Sequence, residues 1–190
     1  LPRSPGRRRA AAALLALPLA PWVAAQTRPE RGIVGRPAPE LQAAFWIDAN
    51  GQPGRFSMLE QRGRWVHLKC WQSWCPGCHS HGFPALQKLV AAFAGEPRVV
   101  NVAVQTVFEG RGVNTGDKVR EMQLRYRLPI PMGHDAGGGR NGVPATMSAY
   151  RTGGTPWHVL VDPEGVVVFD GFGIDPERAI AFLRERLAAG

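Results

Sequence analysis

Trp65-Val66-His67-Leu68-Lys69-Cys70-Trp71-Gln72-Ser73-Trp74-Cys75-Pro76-Gly77-Cys78 is the stretch that decides the fold. Its first seven residues form an apolar-rich run and read as a buried central strand. That strand leads directly into a Cys-x-x-Cys. A helix fits residues 75–94, because Phe83, Leu86, Val90 and Phe93 recur at helical spacing, and Gly95 with Pro97 end the pattern. Pro84 inside the pattern predicts a kink, since it lacks a backbone donor and crowds the preceding turn.

A cysteine at a strand-to-helix junction faces unpaired N–H groups and the positive end of the helix. Both favour the thiolate, which is the reacting form, so Cys75 reads as a nucleophile. Cys78 lies one turn further on, within reach of a mixed disulfide formed at Cys75. The same motif is also half of many zinc sites, but those need two more ligands at suitable spacing. No second pair of Cys or His supplies them, so no metal is expected. Cys70, Cys75 and Cys78 all fall within nine residues. So short a loop constrains almost no chain, which points to chemistry and away from stapling.

Outward from this centre, residues 26–40 form an irregular lead-in and 43–47 a short strand closed by a turn at Asn50-Gly51. Residues 99–107 read as a second buried strand, and 117–127 as a helix with Val119, Met122 and Tyr126 on one face. Residues 130–134 make a short strand, 137–142 a glycine-rich loop and 145–150 a brief helix. Residues 157–161 and 166–169 form a hairpin through Asp162-Pro163-Glu164-Gly165, which suits a type I turn. Asp175-Pro176 opens the last helix as N-cap and first helical residue, with Ile180, Leu183 and Leu187 facing inward. The pattern defines an α/β domain: a mixed central sheet with helices on both faces. Gly137 to Gly142 also fits G-x-G-x-x-G, but Pro144 follows it and Asp162 sits in a hairpin turn, so a dinucleotide site is rejected.

The segment from Trp71 to Cys78 resembles the active-site segment of thioredoxin-like proteins, most closely the periplasmic TlpA/ResA-like thiol–disulfide oxidoreductases of the redoxin (AhpC-TSA) superfamily. Gly35-Arg36-Pro37-Ala38-Pro39 and Gly154-Thr155-Pro156, followed by Trp157 to Asp162, extend the likeness over about residues 33–188. The resemblance implies a thioredoxin fold, catalysis by Cys75 and Cys78, and a cis Pro156 lying against them. It implies that the backbone of Thr155 docks an extended substrate strand, with Trp74 flanking the groove. Its further implications are reduction of disulfides in exported proteins, such as those of cytochrome c maturation or metal-site thiols, an upstream electron donor, and no cofactor.

Two departures stand out. Thioredoxins carry a buried acid six residues before the first cysteine, where this chain has Lys69. The expectation is that its stem packs while its ammonium reaches water. Cys70 replaces a usual aromatic and is expected to be buried and inert. His79 and His81 are expected to be exposed helical residues without a role.

The first 25 residues read as a signal peptide: Arg7, Arg8 and Arg9, an apolar stretch too short to span a bilayer, then Val23-Ala24-Ala25 before a cut at Gln26. The domain proper is then 26–190, periplasmic and without a stable membrane anchor. The leader holds four Arg and no acid, so the remainder has 19 basic against 15 acidic residues, or +4 in place of the full +8. That charge is dispersed, so nucleic-acid binding is not indicated. Two rival readings make demands that the sequence meets less well. A peroxiredoxin-like peroxidase needs a Thr where Gln72 stands. A copper chaperone of SCO type needs one more residue between the cysteines and a third ligand from His134 or His158.

Overall fold

The computed structural model describes residues 31–138 and 142–189. The signal-peptide reading of residues 1–25, and the middle of the glycine-rich loop, lie outside them. Seven strands form one sheet: β1 (Phe45–Ile47), β2 (Pro53–Gly54), β3 (Trp65–Trp71), β4 (Val99–Thr106), β5 (Met132–Asp135), β6 (Trp157–Val161) and β7 (Val167–Gly171). Their spatial order is β2-β1-β5-β4-β3-β6-β7. β4 runs parallel to β3 and β5, while β6 is antiparallel to both β3 and β7. The sheet is mixed, as expected.

β3 sits at the centre with all seven residues buried, which explains why it reads as a continuous run. Alternation divides its side chains between two cores. Val66, Leu68 and Cys70 join Val102, Val104, Val159 and Tyr150 on one face. Trp71 points to the other face, among Phe83, Leu86, Ala103 and Met122. That second face is covered by α1 (Phe83–Ala92), α2 (Asp117–Arg125) and α4 (Pro176–Ala189), and the first by α3 (Ala145–Ala149) and the lead-in. Tyr150 ties these last two together, its hydroxyl donating to the Pro39 carbonyl at 2.6 Å.

Pro84 lies inside one helical run over residues 76–92, which is not α-helical throughout. Residues Cys78–Gly82 form a π-turn, and α1 starts behind it with Pro84 in its first turn. The wider turn relieves the crowding a proline ring imposes on the preceding turn, where its missing N–H also removes one helical donor. The hairpin turn is as read: Gly165 N–H donates to the Asp162 carbonyl at 2.8 Å, with Gly165 at φ +77°. Asp175 caps α4, accepting from the Arg178 N–H at 3.0 Å. The ends of the glycine-rich loop are held by Arg111, whose guanidinium donates to the carbonyls of Ala136 and Gly142, each at 2.7 Å. Among the described residues, no helix is long and apolar enough to cross a membrane.

Candidate active site

β3 delivers the chain at the end of the sheet, and Gln72 to Trp74 turn it into the π-segment that carries Cys78. Ser73 fixes that turn. Its N–H donates to Asn114 Oδ1 at 2.6 Å and its hydroxyl to the Val113 carbonyl at 2.8 Å. Asn114 is buried, and its amide in turn donates to the Glu109 and Gly110 carbonyls at 3.1 and 3.2 Å. Trp74 is 45% exposed beside this loop, on the rim of a cleft of about 350 Å³ also lined by Val113, Lys118 and Arg125.

Both cysteines of the motif are free thiols. The Cys78 N–H points at Cys75 Sγ, 3.2 Å away, and the Cys75 thiol lies 3.4 Å from the Thr155 carbonyl. Cys75 has its pKa lowered to about 6. Donation from the Cys78 thiol is the largest cause, opposed by burial and aided by Thr155, the Cys78 N–H and the charge of Lys69. Cys78 is fully buried and is pushed far up, first by desolvation and then by its bond to Cys75. The two environments drive the pKa values of the two sulfurs in opposite directions.

The Thr155–Pro156 bond is cis. Pro156 lies across the start of the helix, where two glycines make room for it. A Cβ at Gly77 would come within 3.2 Å of Pro156 Cδ, and one at Gly82 within 3.0 Å of Pro156 Cβ. Thus Cys75, Cys78, Thr155 and Pro156 converge, with Trp74 on the same turn as Cys75.

Lys69 overturns its expectation. Its side chain does not reach water: the residue is fully buried, and Nζ has no hydrogen-bond partner. It lies on the sheet face under the dithiol turn, with Nζ 4.9 Å from the centre of the Phe83 ring. Strands β4 and β6 flank it on both sides, so its stem has no route to the surface. Burial lowers its pKa to about 8, and the neighbouring sulfurs of Cys78, Cys75 and Cys70 limit the drop. Cys70 is buried as expected, and desolvation pushes its thiol up to about 12.

His79 is also not the exposed, idle residue expected. Nε2–H donates to the Ser73 carbonyl and Nδ1 accepts from the Tyr126 hydroxyl, both at 2.6 Å. Tyr126 stacks on Phe83, so His79 pins the helix start to both the active-site turn and α2. His81 is exposed. The sequence reading missed Asn114 and the bridging role of Tyr126, whose partners are 41 and 47 residues away along the chain.

His158 and His134 are committed elsewhere. His158 Nδ1 bonds His67 Nε2 at 3.0 Å, and His134 Nδ1 bonds Gln105 Oε1 at 2.8 Å. Among the described residues, no group of three or more His, Cys, Asp or Glu is placed to hold a metal. Gln72 is buried, and its Oε1 accepts from Asn114 and from the Glu109 N–H.

The sheet order, the cis-proline and the dithiol turn define a thioredoxin-like protein. Residues 34–170 match the AhpC/TSA family, and the chain belongs to that family. Among solved structures, a thioredoxin-like superfamily protein is 33% identical, with a TM-score of 0.69 over 77% of this chain and 92% of that one. A thiol-disulfide isomerase from Corynebacterium glutamicum is 27% identical, with a TM-score of 0.67 over 78% of this chain and 94% of that one. StoA from Bacillus subtilis shares the fold at 20% identity, with a TM-score of 0.55 over 77% and 99%. No curated protein sequence matches. The family and these neighbours together support an oxidoreductase activity.

Proposed function

We propose that Cys75 and Cys78 are the redox-active pair of this oxidoreductase, and that it reduces disulfides in exported proteins. The observation that carries the reading is the split between the two sulfurs. Cys75 is an activated thiolate in contact with the Thr155 segment, and Cys78 is a shielded thiol 3.2 Å behind it through its own N–H. The Cys75 thiolate attacks one sulfur of a substrate disulfide, forming a mixed disulfide and releasing the other sulfur as a thiolate. Cys78 then attacks Cys75 Sγ, which frees the substrate as a dithiol and leaves Cys75–Cys78 oxidised. Two electrons pass to the substrate, and an upstream dithiol donor returns them.

The cis Thr155–Pro156 segment beside Cys75 and the exposed Trp74 on the Cys75 turn support docking of an extended substrate strand across Cys75. A periplasmic setting accords with the basic, apolar leader read in residues 1–25. The reducing direction rests on the TlpA/ResA resemblance, since poise depends on how the fold treats the thiolate.

The test is a trap. Cys78→Ser protein isolated from the periplasm should carry partner proteins disulfide-bonded to Cys75, identified by their cross-linked peptides. Cys75→Ser should carry none and should lose disulfide reductase activity. Turnover that survives Cys75→Ser sinks the reading.

A further inference from the structure

Lys69 is a buried titratable group that the two-cysteine scheme leaves without a task. Its Nζ fills a space bounded by the Phe83 ring, Pro156 and the bare Cα of Gly82, directly under the turn that carries Cys78. It has no hydrogen-bond partner there. The charges acting on it are sulfurs: Cys78 most strongly, then Cys75 on the same turn, then Cys70 on its own strand. No carboxylate is among them. The other titratable groups at this level are His67 on β3 and His158 on β6, both buried and held neutral by desolvation. A buried ammonium with no carboxylate is stable only while a thiolate faces it.

We propose that Lys69 is the proton-exchange group of the dithiol: an ammonium while Cys75 is a thiolate, and an amine that takes the Cys78 proton once Cys75 is tied up in a mixed disulfide. The inference rests on the reading of Cys75 and Cys78 as the redox pair.

The protons and electrons balance. In the first step Cys75 forms a bond to one substrate sulfur, the substrate S–S bond breaks, and the departing thiolate needs a proton. The same step erases the charge that held the Lys69 ammonium, so its proton is released and replaces, through solvent, the one the departing thiolate takes up. Lys69 is then a neutral amine beneath Cys78, whose burial otherwise keeps its thiol protonated. In the reduced protein Nζ makes no hydrogen bond to that sulfur, so the flexible stem must first bring the amine to it. The amine then accepts the proton, and the Cys78 thiolate attacks Cys75 Sγ and breaks the mixed disulfide. The second substrate thiolate leaves and is protonated in turn, while Lys69 returns to the amine. The reduced protein thus delivers two electrons and two protons, one proton from Cys78 and one from Lys69.

Two measurements test this on the full chain. In wild-type protein carrying carbon-13 at lysine Cε, Lys69 should titrate at least tenfold more weakly as a base in the Cys75–Cys78 disulfide form than in the dithiol form. Separately, the mixed disulfide formed with glutathione should resolve at least tenfold more slowly in Lys69→Met at neutral pH. The deficit should shrink as pH rises and hydroxide takes over the proton. A Lys69 midpoint that is equal in both redox states, or a mixed disulfide that resolves equally fast with Met in place, overturns the proposal. If oxidation forms no Cys75–Cys78 disulfide by mass, the dithiol reading fails and this inference with it. If the disulfide forms and Lys69 does not respond, this inference alone fails.

Discussion

Lys69 Nζ occupies the space that a side chain at Gly82 would fill. A Cβ built on Gly82 collides with it and lies 3.0 Å from Pro156 Cβ. Gly82→Ala therefore sets two effects against each other. Alanine favours helical backbone by up to about 1 kcal/mol over glycine. Overpacking a filled site costs roughly 1–3 kcal/mol. The expected net result is a loss, together with a rise in the pH midpoint of Cys75 alkylation as the ammonium is displaced. The loss should shrink in the Lys69→Met background, where the colliding atom is gone. A double-mutant cycle by denaturant titration checks that coupling.

His67 and His158 make a second prediction. Their rings stack 5.3 Å apart and share a hydrogen bond, and His67 Nδ1 bonds Asn101 at 3.0 Å. Burial lowers His67 to about 4, and His158 moves in the same direction. Both imidazoles are therefore neutral when folded. The unfolded chain takes up protons below about pH 6.5, so stability is full above that value and lost as pH falls towards about 4. Measured on the oxidised protein, which removes the Cys75 thiolate from the balance, the loss from this pair should be on the order of 1–3 kcal/mol. His67→Gln should flatten the profile. An unchanged acid slope in that variant would count against the assignment.

This polar strip also marks the limit of what the sequence disclosed. The bounds of β3 are legible because burial on both faces makes it one apolar run, and the Asp162–Gly165 turn and Asp175 cap follow from local chemistry. His67 and Lys69 break the run, and locally they read as residues that reach water. Their surroundings come from β4 and β6, with partners 34 and 91 residues away from His67. The cysteine pair and Pro156 were legible from motif order. The cavity for Lys69 was not, because a glycine thirteen positions later creates it.

Asn114 gives a prediction about the active-site turn. It accepts from the Ser73 N–H at 2.6 Å and donates to two carbonyls of the neighbouring loop. Asn114→Ala leaves several buried backbone groups unpaired, at about 1–3 kcal/mol for each truly unsatisfied group. Global stability should fall by about 2 kcal/mol or more, and the Ser73 amide should exchange hydrogen faster than its neighbours in β3. Asn114→Asp keeps the acceptor and should protect the Ser73 amide. Equal exchange in both variants would show that Asn114 does not hold the turn.

The last prediction is a stabilising one, at the end of α2. Arg127 has φ +50°, a left-handed conformation that glycine normally supplies after a helix. The hydrogen bonds are those of a Schellman ending: Arg127 N–H to the Leu124 carbonyl at 3.1 Å, and Leu128 N–H to the Gln123 carbonyl at 3.0 Å. Leu128 is buried, so the geometry is fixed by packing and arginine must conform to it. An L-residue in this region costs about 1–2 kcal/mol. Glycine removes that strain but gives back about 0.5–1 kcal/mol through a more disordered unfolded chain. Arg127→Gly should therefore stabilise by about 0.5–1 kcal/mol, because the Arg127 side chain is exposed and little packing is lost. Arg127→Ala is the control: it removes the same side chain, keeps the Cβ and should gain nothing. Arg151 closes α3 in the same way, at φ +50° with Thr152 N–H bonded to the Met147 carbonyl at 3.0 Å. Its glycine variant should behave alike, and the two sites should add. Denaturant midpoints for the four variants decide it, and a gain in the alanine variant equal to that in glycine would refute the backbone account.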